Sequence, residues 1–454
     1  MRAATLPCLI LLSSVAHAEP DVRALLDELV AIDTTNPPGN EEKAARAIAV
    51  HLKAAGLEPE IVPWEKGRSS VVVRLRGDGK KRPLLLLAHL DVVGAAEQPW
   101  TVPPFKVTEK DGFLYGRGVM DDKGWAAAAT SVVLELARTH APLHRDVILA
   151  LTGDEESSGA GIRFLLEHRK ELVSDAELAL NEGGVTFLDK SGHVRVVQLQ
   201  TAEKVFQDFA VIAHGVGGHS SVPNDENAIY RLARALERLA AVKFPVRLTP
   251  AVREALRGRA ALESGPLADA LRSASAAKEA IPPALLAQID AHPPLRALPR
   301  TTCVATLLAG GTRDNALPVL ARATVNCRML PVDHVREVRK TLVDAIGDAQ
   351  IEVEAMPDNG SGPEVAVEGP VKTAVEKVAR AKYGADVLVV AGIGTGASDS
   401  RFLRKAGVGA YGLGLFPISP DDAHKVHGPD ERTPVTSPQL GRDFLRAIVH
   451  ELAE

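Results

Sequence analysis

Aromatic residues make up only 4% of the 454-residue sequence, so no aromatic-lined pocket stands out. Positive charge is gathered nowhere: 53 Lys and Arg face 58 Asp and Glu, and the formal net charge of -5 is spread over the whole chain. Binding nucleic acid or an anionic lipid surface through a basic face needs such clustering. Neither nucleic acid nor a membrane is therefore expected as a partner. Beyond the N-terminus no apolar run is long enough to span a bilayer. Internal repeats and long low-complexity tracts are lacking, and cysteine is scarce, with Cys8, Cys303 and Cys327 alone.

The first twenty residues, MRAATLPCLILLSSVAHAEP, join one Arg to a short apolar stretch and then to Ala16-His17-Ala18, the small-x-small pattern that precedes signal cleavage. Pro7 interrupts the run, and helix signals restart at Asp21. Residues 1–18 read as a secretory signal peptide, the mature chain begins near Glu19, and a periplasmic or secreted location follows. Cys8 has almost no apolar stretch before it, which argues against a lipoprotein anchor. Export would leave Cys303 and Cys327 in a compartment that permits disulfides. They flank NALP symmetrically, so a hairpin turning near Asn315 would set them opposite each other. A bridge and two free buried thiols both fit that spacing.

What remains is an ordinary globular composition, 46% hydrophobic and 24% charged, on a chain longer than one hydrophobic core usually serves. Two domains are expected. From Asp21 to about Gly184, helical patterns (DVRALLDELVAI, EEKAARAIAVHLKAAG, GIRFLLEHRKELV) alternate with short apolar runs (SSVVVRLRG, PLLLLAHLD, DVILALTGD, AELALNEGG). That order predicts an α/β domain on a mainly parallel sheet with helices on both faces, where ligands gather at the carboxyl ends of the strands. From about residue 200 to 357 the order becomes strand, helix, strand, strand, helix, strand. It predicts a four-stranded sheet with two helices on one face, an α+β ferredoxin-like sandwich. Within it the Ala-, Leu- and Pro-rich stretch 249–300 reads as a mostly helical insertion without site chemistry. The α/β pattern resumes from about Pro363 with VKTAVEKVARAKYG and DVLVVAG. Residues 19–200 and 358–454 thus form one domain, and 201–357 a second one inserted into it.

The stretch GRGVMDDKGW, residues 116–125, sets Asp121 and Asp122 side by side after glycines and before the helix-like AAAATSVVLELA. Adjacent acids suit a solvated helix start, where negative charge meets the dipole and the free N–H groups; they also suit a cation. In LLLLAHLDVVG, His89 and Asp91 alternate by two at a strand end and share a face. His89 could bind metal while Asp91 orients it, although a hydrogen-bonded His at a strand end has the same pattern. In TGDEESSGAG, Glu155 and Glu156 are neighbours with diverging side chains, one for a metal and one for a reacting centre. The plainer alternative is a solvated loop capped by Ser158 or Glu155. Glu182 ends another predicted strand in LALNEGG, and DDAHKVHGPDER offers His424 and His427 in a loop. Counted together, His89, Asp121, Glu156, Glu182 and His427 suit a pair of zinc-like ions with one bridging carboxylate.

Taken in order over nearly the whole mature chain, these segments resemble the zinc-dependent peptidase family of carboxypeptidase G, aminoacylase, acetylornithine deacetylase and succinyl-diaminopimelate desuccinylase. The shared marks are a His-x-Asp strand end, a DDKG turn, a DEE turn, an acid after a later strand and a C-terminal His. The resemblance implies two zinc ions, with cobalt or manganese as alternatives, bridged by Asp121. His89 and Glu182 would complete one site, and Glu156 and His427 the other. Asp91 would orient His89, Asp122 would support the turn, and Glu155 would be the general base that takes a proton from water and returns it to the departing nitrogen. HGVGGHSSVPNDENAI resembles the segment whose His, here His219, helps bind the oxyanion, often across a dimer interface. This implies a homodimer and makes the inserted domain a lid and dimerisation domain; a turn His bonded to Ser220 is the alternative. GGTRDNALP resembles the Gly-Gly-x-x-x-Asn-x-x-Pro segment that puts Asn315 toward substrate. NCRMLP offers Arg328 as a fork for a substrate carboxylate, and GIGTGASDSRF resembles the substrate loop near Gly396. No Lys-Ser or Lys-Thr follows those glycines, and the dinucleotide spacing fails.

The expected function is an exported dinuclear zinc hydrolase that cleaves the amide of an N-acyl amino acid or short peptide. Glu182 stands where relatives known as aminopeptidases tend to have Asp, which favours carboxypeptidase or deacylase action. An aminopeptidase or dipeptidase on the same scaffold, and an inactive relative that only binds peptide or metal, are the alternatives; a pure binder would have no use for Glu155.

Overall fold

A computed structural model describes residues 21–357, 360, 362–394 and 396–454. The expected signal peptide, with Cys8, lies outside the described residues.

The run LLLLAH forms the strand Leu84–His89, buried along its whole length, because its two faces serve two different cores. Leu84, Leu86 and Ala88 pack with Leu25 and Leu29 of helix Val22–Ala31, Val132 and Leu136 of helix Lys123–Thr139, and Phe444 and Ile448 of helix Ser437–Ala453. Leu85 and Leu87 pack instead with Ile162 and Leu165 of helix Ala160–His168, and with Phe402 and Leu403. Period-two alternation thus places helices on both sides of the sheet. Leu84–His89 pairs in parallel with Val147–Thr152 and with Leu178–Asn181, and the latter pairs in parallel with Gly409–Gly412. An antiparallel hairpin, Glu60–Glu65 and Arg68–Leu75, closes one edge. Among the described residues this sheet has ten strands, the others being Val185–Leu188, Val194–Glu203, Leu388–Gly394 and Pro417–Ile418. The fold class is the expected one: α/β on a mainly parallel sheet, with a smaller α+β sandwich set into the chain.

That sandwich begins immediately after Lys204, which separates Val194–Glu203 of the large sheet from Val205–His214 of the small one. The small sheet is antiparallel, ordered Thr302–Gly310, Leu320–Met329, Val205–His214, Ile351–Ala355, the ferredoxin-like arrangement. Phe209, Val211 and Ala213 turn one face toward helices Ala228–Ala240 and Val335–Ile346, whose Leu232, Leu239, Leu342 and Ile346 complete this core. The opposite face carries the register partners Phe206 and Arg328. Cys303 and Cys327 are cross-strand partners joined by a disulfide. Of the two arrangements their spacing fitted, the structure has the bridge.

The stretch 249–300 forms four helices, Pro250–Leu262, Gly265–Ala276, Pro283–Asp290 and Pro293–Ala297. Although it interrupts the small domain in sequence, its apolar stripe of Ala251, Val252 and Leu256 shares a core with Ala202 and Ile393 of the large sheet. Contact is close at Gly258, where an added Cβ would lie 2.8 Å from Val390.

Candidate active site

The strand ends converge. His89, on the face continued by Leu85 and Leu87, sits at the carboxyl end of its strand. Its Nδ1 is 3.0 Å from the Asp91 carbonyl oxygen and 3.5 Å from the Asp91 carboxylate, and its Nε2 is 3.1 Å from Asp121 Oδ1. The other Asp121 oxygen lies 3.0 Å from His427 Nε2, which is also 3.1 Å from Glu156 Oε2. Asp121 therefore stands between two imidazoles, as a bridging carboxylate would. His89, Asp121 and Glu156 offer ligand atoms all within 4.8 Å of one another. Asp122 answers the question posed by the paired acids: it is buried, and its Oδ2 accepts from the His89 backbone N–H at 3.2 Å, tying the turn to the strand end.

The DEE turn is built by a residue that the sequence reading passed over. Asp154, rather than Ser158 or Glu155, takes the capping role, because its Oδ2 accepts from the Ser158 N–H, the Ser158 hydroxyl and the Ala160 N–H. Its Oδ1 accepts from Asn36 and Arg68. This leaves the Glu155 and Glu156 carboxylates free to turn toward His89 and His427. Their backbone N–H groups both donate to Asp91, at 3.1 Å each. Asp91 thus fixes His89 and the two glutamates together.

A second positioning group was also unforeseen. Arg117 and Glu431 form a buried ion pair at 2.7 Å. Glu431 accepts from the N–H groups of Gly118, Met120 and Asp121, while Arg117 donates to Gln98 and to the carbonyls of His427 and Gly428. The pair holds the Asp121 turn against the His427 loop. Both residues lie inside quoted motifs, GRGVMDD and HGPDER, but only folding brings them together.

The electrostatics call for a cation. Burial pushes Glu155 well above the usual carboxylate range, and the charges of Glu182, Asp399 and Glu156 add to this against the opposing pull of His89. Burial and the charges of Asp121 and Asp122 likewise raise Glu182. Burial also raises Asp121, but its bonds to His427 and His89 outweigh that and hold it well below the usual range. The bonds to Asp121 and Glu156 lift His427 to about 10. Glu156 Oε1 is buried without a hydrogen-bond partner among the described residues. An orphaned carboxylate oxygen, two imidazole nitrogens and a shared aspartate make a donor set that fits a metal pair.

These groups open into a cavity of about 610 Å³, lined among others by Asp121, Glu155, Glu156, Glu182, Gly396 and His427, and reached from the small domain by Phe206 and Arg328. At Gly396 an added Cβ would meet nothing within 4 Å, so the main chain borders open space. The Arg328 guanidinium stacks 4.6 Å over Phe206 and has no hydrogen-bond or ion-pair partner among the described residues; burial lowers its pKa, the charge of Asp208 opposes this, and neighbouring Arg401 adds to the lowering. Arg401, from the quoted GASDSRF, also lines the cavity, and its buried Nε is unpartnered. Two under-satisfied guanidiniums thus share the cavity with the acids. Beside them, Glu203 accepts from the Ser398 N–H at 2.9 Å and the Ser398 hydroxyl at 2.6 Å.

Two expected residues, His219 and Asn315, stand apart, as does the loop histidine His424. His219 is exposed, its Nδ1 2.8 Å from the Ser221 hydroxyl rather than bonded to Ser220, and it does not line the cavity. Asn315 lies beside it, accepting from the Ser220 N–H through its carbonyl. His424 is exposed and joins none of the cluster.

Fold and cluster define a hydrolase of the metallopeptidase class. The chain matches Peptidase family M20/M25/M40 over residues 85–451 and belongs to that family. It is 30% identical over 384 residues to the N-fatty-acyl-amino acid synthase/hydrolase PM20D1 of Mus musculus, covering 81% of this chain and 74% of that one. It is 26% identical over 393 residues to the probable carboxypeptidase S-like 2 of Dictyostelium discoideum, covering 84% and 74%. Among solved structures, the M20 family metallo-carboxypeptidase Sso-CP2 of Sulfolobus solfataricus superposes with a TM-score of 0.71 at 19% identity, covering 94% of this chain and 98% of that one. No helix among the described residues is long and apolar enough to cross a membrane.

Proposed function

We propose that the chain is an exported dinuclear zinc hydrolase that cleaves the amide bond of N-acyl amino acids or short peptides, releasing an amino acid with a free carboxylate. The observation that carries this reading is a single cavity lined by Asp121, Glu155, Glu156, Glu182 and His427, with the buried His89 against Asp121, and by two guanidiniums that form no ion pair among the described residues. Asp121 would bridge the metals, His89 and Glu182 would hold one, and Glu156 and His427 the other. Bound there, the pair supplies Lewis acidity, which polarises the amide carbonyl and acidifies water. Glu155, 3.9 Å from His89 through its carboxylate, takes a proton from the attacking water. As the C–N bond breaks it passes that proton to the departing nitrogen. Arg328, joined by Arg401, grips the carboxylate of the leaving amino acid as a fork.

His219 and Asn315 fit this scheme as groups supplied to the site of the other copy in a homodimer, which accords with their distance from the cavity of their own chain. The names of the PM20D1 and carboxypeptidase relatives support acyl-amino acid or carboxypeptidase chemistry over aminopeptidase action.

N-blocked and free dipeptides, given in parallel to the zinc-loaded protein, test the reading. Release from the blocked substrate is expected; turnover of the free one alone would make the enzyme an aminopeptidase or dipeptidase, and turnover of neither a binding protein. Glu155→Gln should retain its metal by elemental analysis and lose at least about 10²-fold in kcat. A variant with the parent rate would remove Glu155 from the mechanism.

A further inference from the structure

Strand Val194–Glu203 forms part of the floor of the main cavity, and two of its residues enter no step of the scheme above. Gln198 and Gln200 alternate by two, share a face and line the cavity. Val197 and Leu199 point the other way, into the apolar core, while Val196, on the glutamines' own face, is covered by helix Pro250–Leu262 at Gly258. Where that cover ends, the face turns from apolar to carboxamide. Gln200 is 3% exposed, and its Oε1 has no hydrogen-bond partner among the described residues. Glycines make room for both side chains: a Cβ added at Gly183, Gly394 or Gly412 would run into Gln200, and one at Gly392 into the Gln198 carboxamide. A buried amide oxygen left unpaired is costly unless something that enters the cavity donates to it.

We propose that Gln200, with Gln198, selects the side chain of the amino acid that leaves, and that this side chain ends in a carboxamide. The proposal rests on the amide-hydrolase reading given above and deepens it. Gly183, against the Gln200 Oε1, follows Glu182 of the acidic cluster. On the other side Arg404 joins the Gln200 carbonyl, at 3.1 Å, to Glu203, the residue that holds Ser398. Arg401 in turn donates to the Ser398 carbonyl at 3.3 Å. Gln200 thus sits between the acids that would take the amide and the guanidinium end that would take the carboxylate, where the side chain of the leaving amino acid must lie. Its occupant has to donate to Oε1. An ionised carboxylate has no proton to give, a cation meets the like charges of Arg328 and Arg401, and an aliphatic chain leaves the oxygen unpaired. A carboxamide gives an N–H to Gln200 Oε1 and accepts one from the amide nitrogens of the pair, answering donor and acceptor together.

The test holds the acyl group constant as acetyl and varies the amino acid in pairs of like size, glutamine against methionine and asparagine against leucine, with the zinc-loaded protein. At least one carboxamide member is expected to exceed its apolar counterpart by about tenfold or more in kcat/KM. In Gln200→Met that ratio should fall toward one, a change of preference that a merely structural role would not produce. Should that variant fold poorly, Gln198→Met gives the same readout, and calorimetric binding of N-acetyl-glutamine and N-acetyl-methionine to Glu155→Gln reads the floor without turnover, the former expected to be the tighter. Equal kcat/KM within each pair, or a ratio that survives both floor substitutions, would overturn the proposal and leave the hydrolase reading standing. If no member is cleaved, that reading falls, and calorimetry of free glutamine against free methionine decides the floor: tighter glutamine supports the proposal and equal binding ends it.

Discussion

At the scale of single residues, the cluster depends on carboxylates that never need to touch a metal. Asp91 anchors a histidine and two glutamate N–H groups, and its burial is tolerable because each oxygen is hydrogen-bonded. Asp399 acts through charge: it is buried, receives the Thr152 hydroxyl at 2.8 Å, and has its own pKa raised by burial to about 6. Its negative charge is also one of the causes that raise Glu155. With Glu155 as the proposed base, activity is lost as pH falls through that raised value. Asp399→Asn removes a charge that favours protonation of Glu155, so the acid limb of kcat/KM should move to lower pH; a limb that stays put or moves upward would show that Asp399 does not tune the base. Much of this level was legible in the sequence. His89, Asp121, Glu156 and His427 could be read because each ends a strand or sits in a Gly-bounded turn. Asp154, Arg117, Glu431 and Arg401 could not be read, because what they do depends on partners such as Asn36 and Arg68, or the backbone of Gly118 to Asp121, brought close only by folding.

Elements were easiest to foresee where burial is complete. LLLLAH and VILALT are continuous apolar runs and became central parallel strands, as two-sided burial requires. The hairpin strand Glu60–Glu65 went unseen, since a Pro and a Trp between two acids in EIVPWE hide its period. The helical insertion was visible as helix, but not as cover for strands Val194–Glu203 and Leu388–Gly394, because Ala-rich stripes fit many surfaces. The Cys303–Cys327 pair shows the reverse, a sequence symmetry that register made real. The bridge closes a loop with a sequence separation of 24, so losing it should cost the small domain about 3 kcal/mol. Thiol titration of the unfolded mature protein should find none before reduction and two after, and Cys303→Ser/Cys327→Ser should lower the unfolding midpoint. Equal thiol counts with and without reductant would refute the bridge.

For the molecule as a whole, the conspicuous surface is the edge strand Thr302–Gly310, where Val304, Leu307 and Leu308 are 61%, 68% and 71% exposed. Unpaired edges with large apolar side chains are ordinarily covered, and Tyr230 and Ile229 nearby extend the patch. This is the surface on which the proposed homodimer would form. Leu308→Lys should yield a folded monomer by light scattering whose turnover collapses, because His219 would no longer reach a second site; a fully active monomer would dismiss both the dimer and that role. One last consequence comes from the crossing at Lys204. The final residue of the large-sheet strand, Glu203, grips Ser398 by two hydrogen bonds, while Val205, two residues on, begins the small sheet. The loop that borders the cavity at Gly396 is thus tied to the residue at which the chain leaves the large sheet, so the crossing between the two domains and the cavity floor share one anchor.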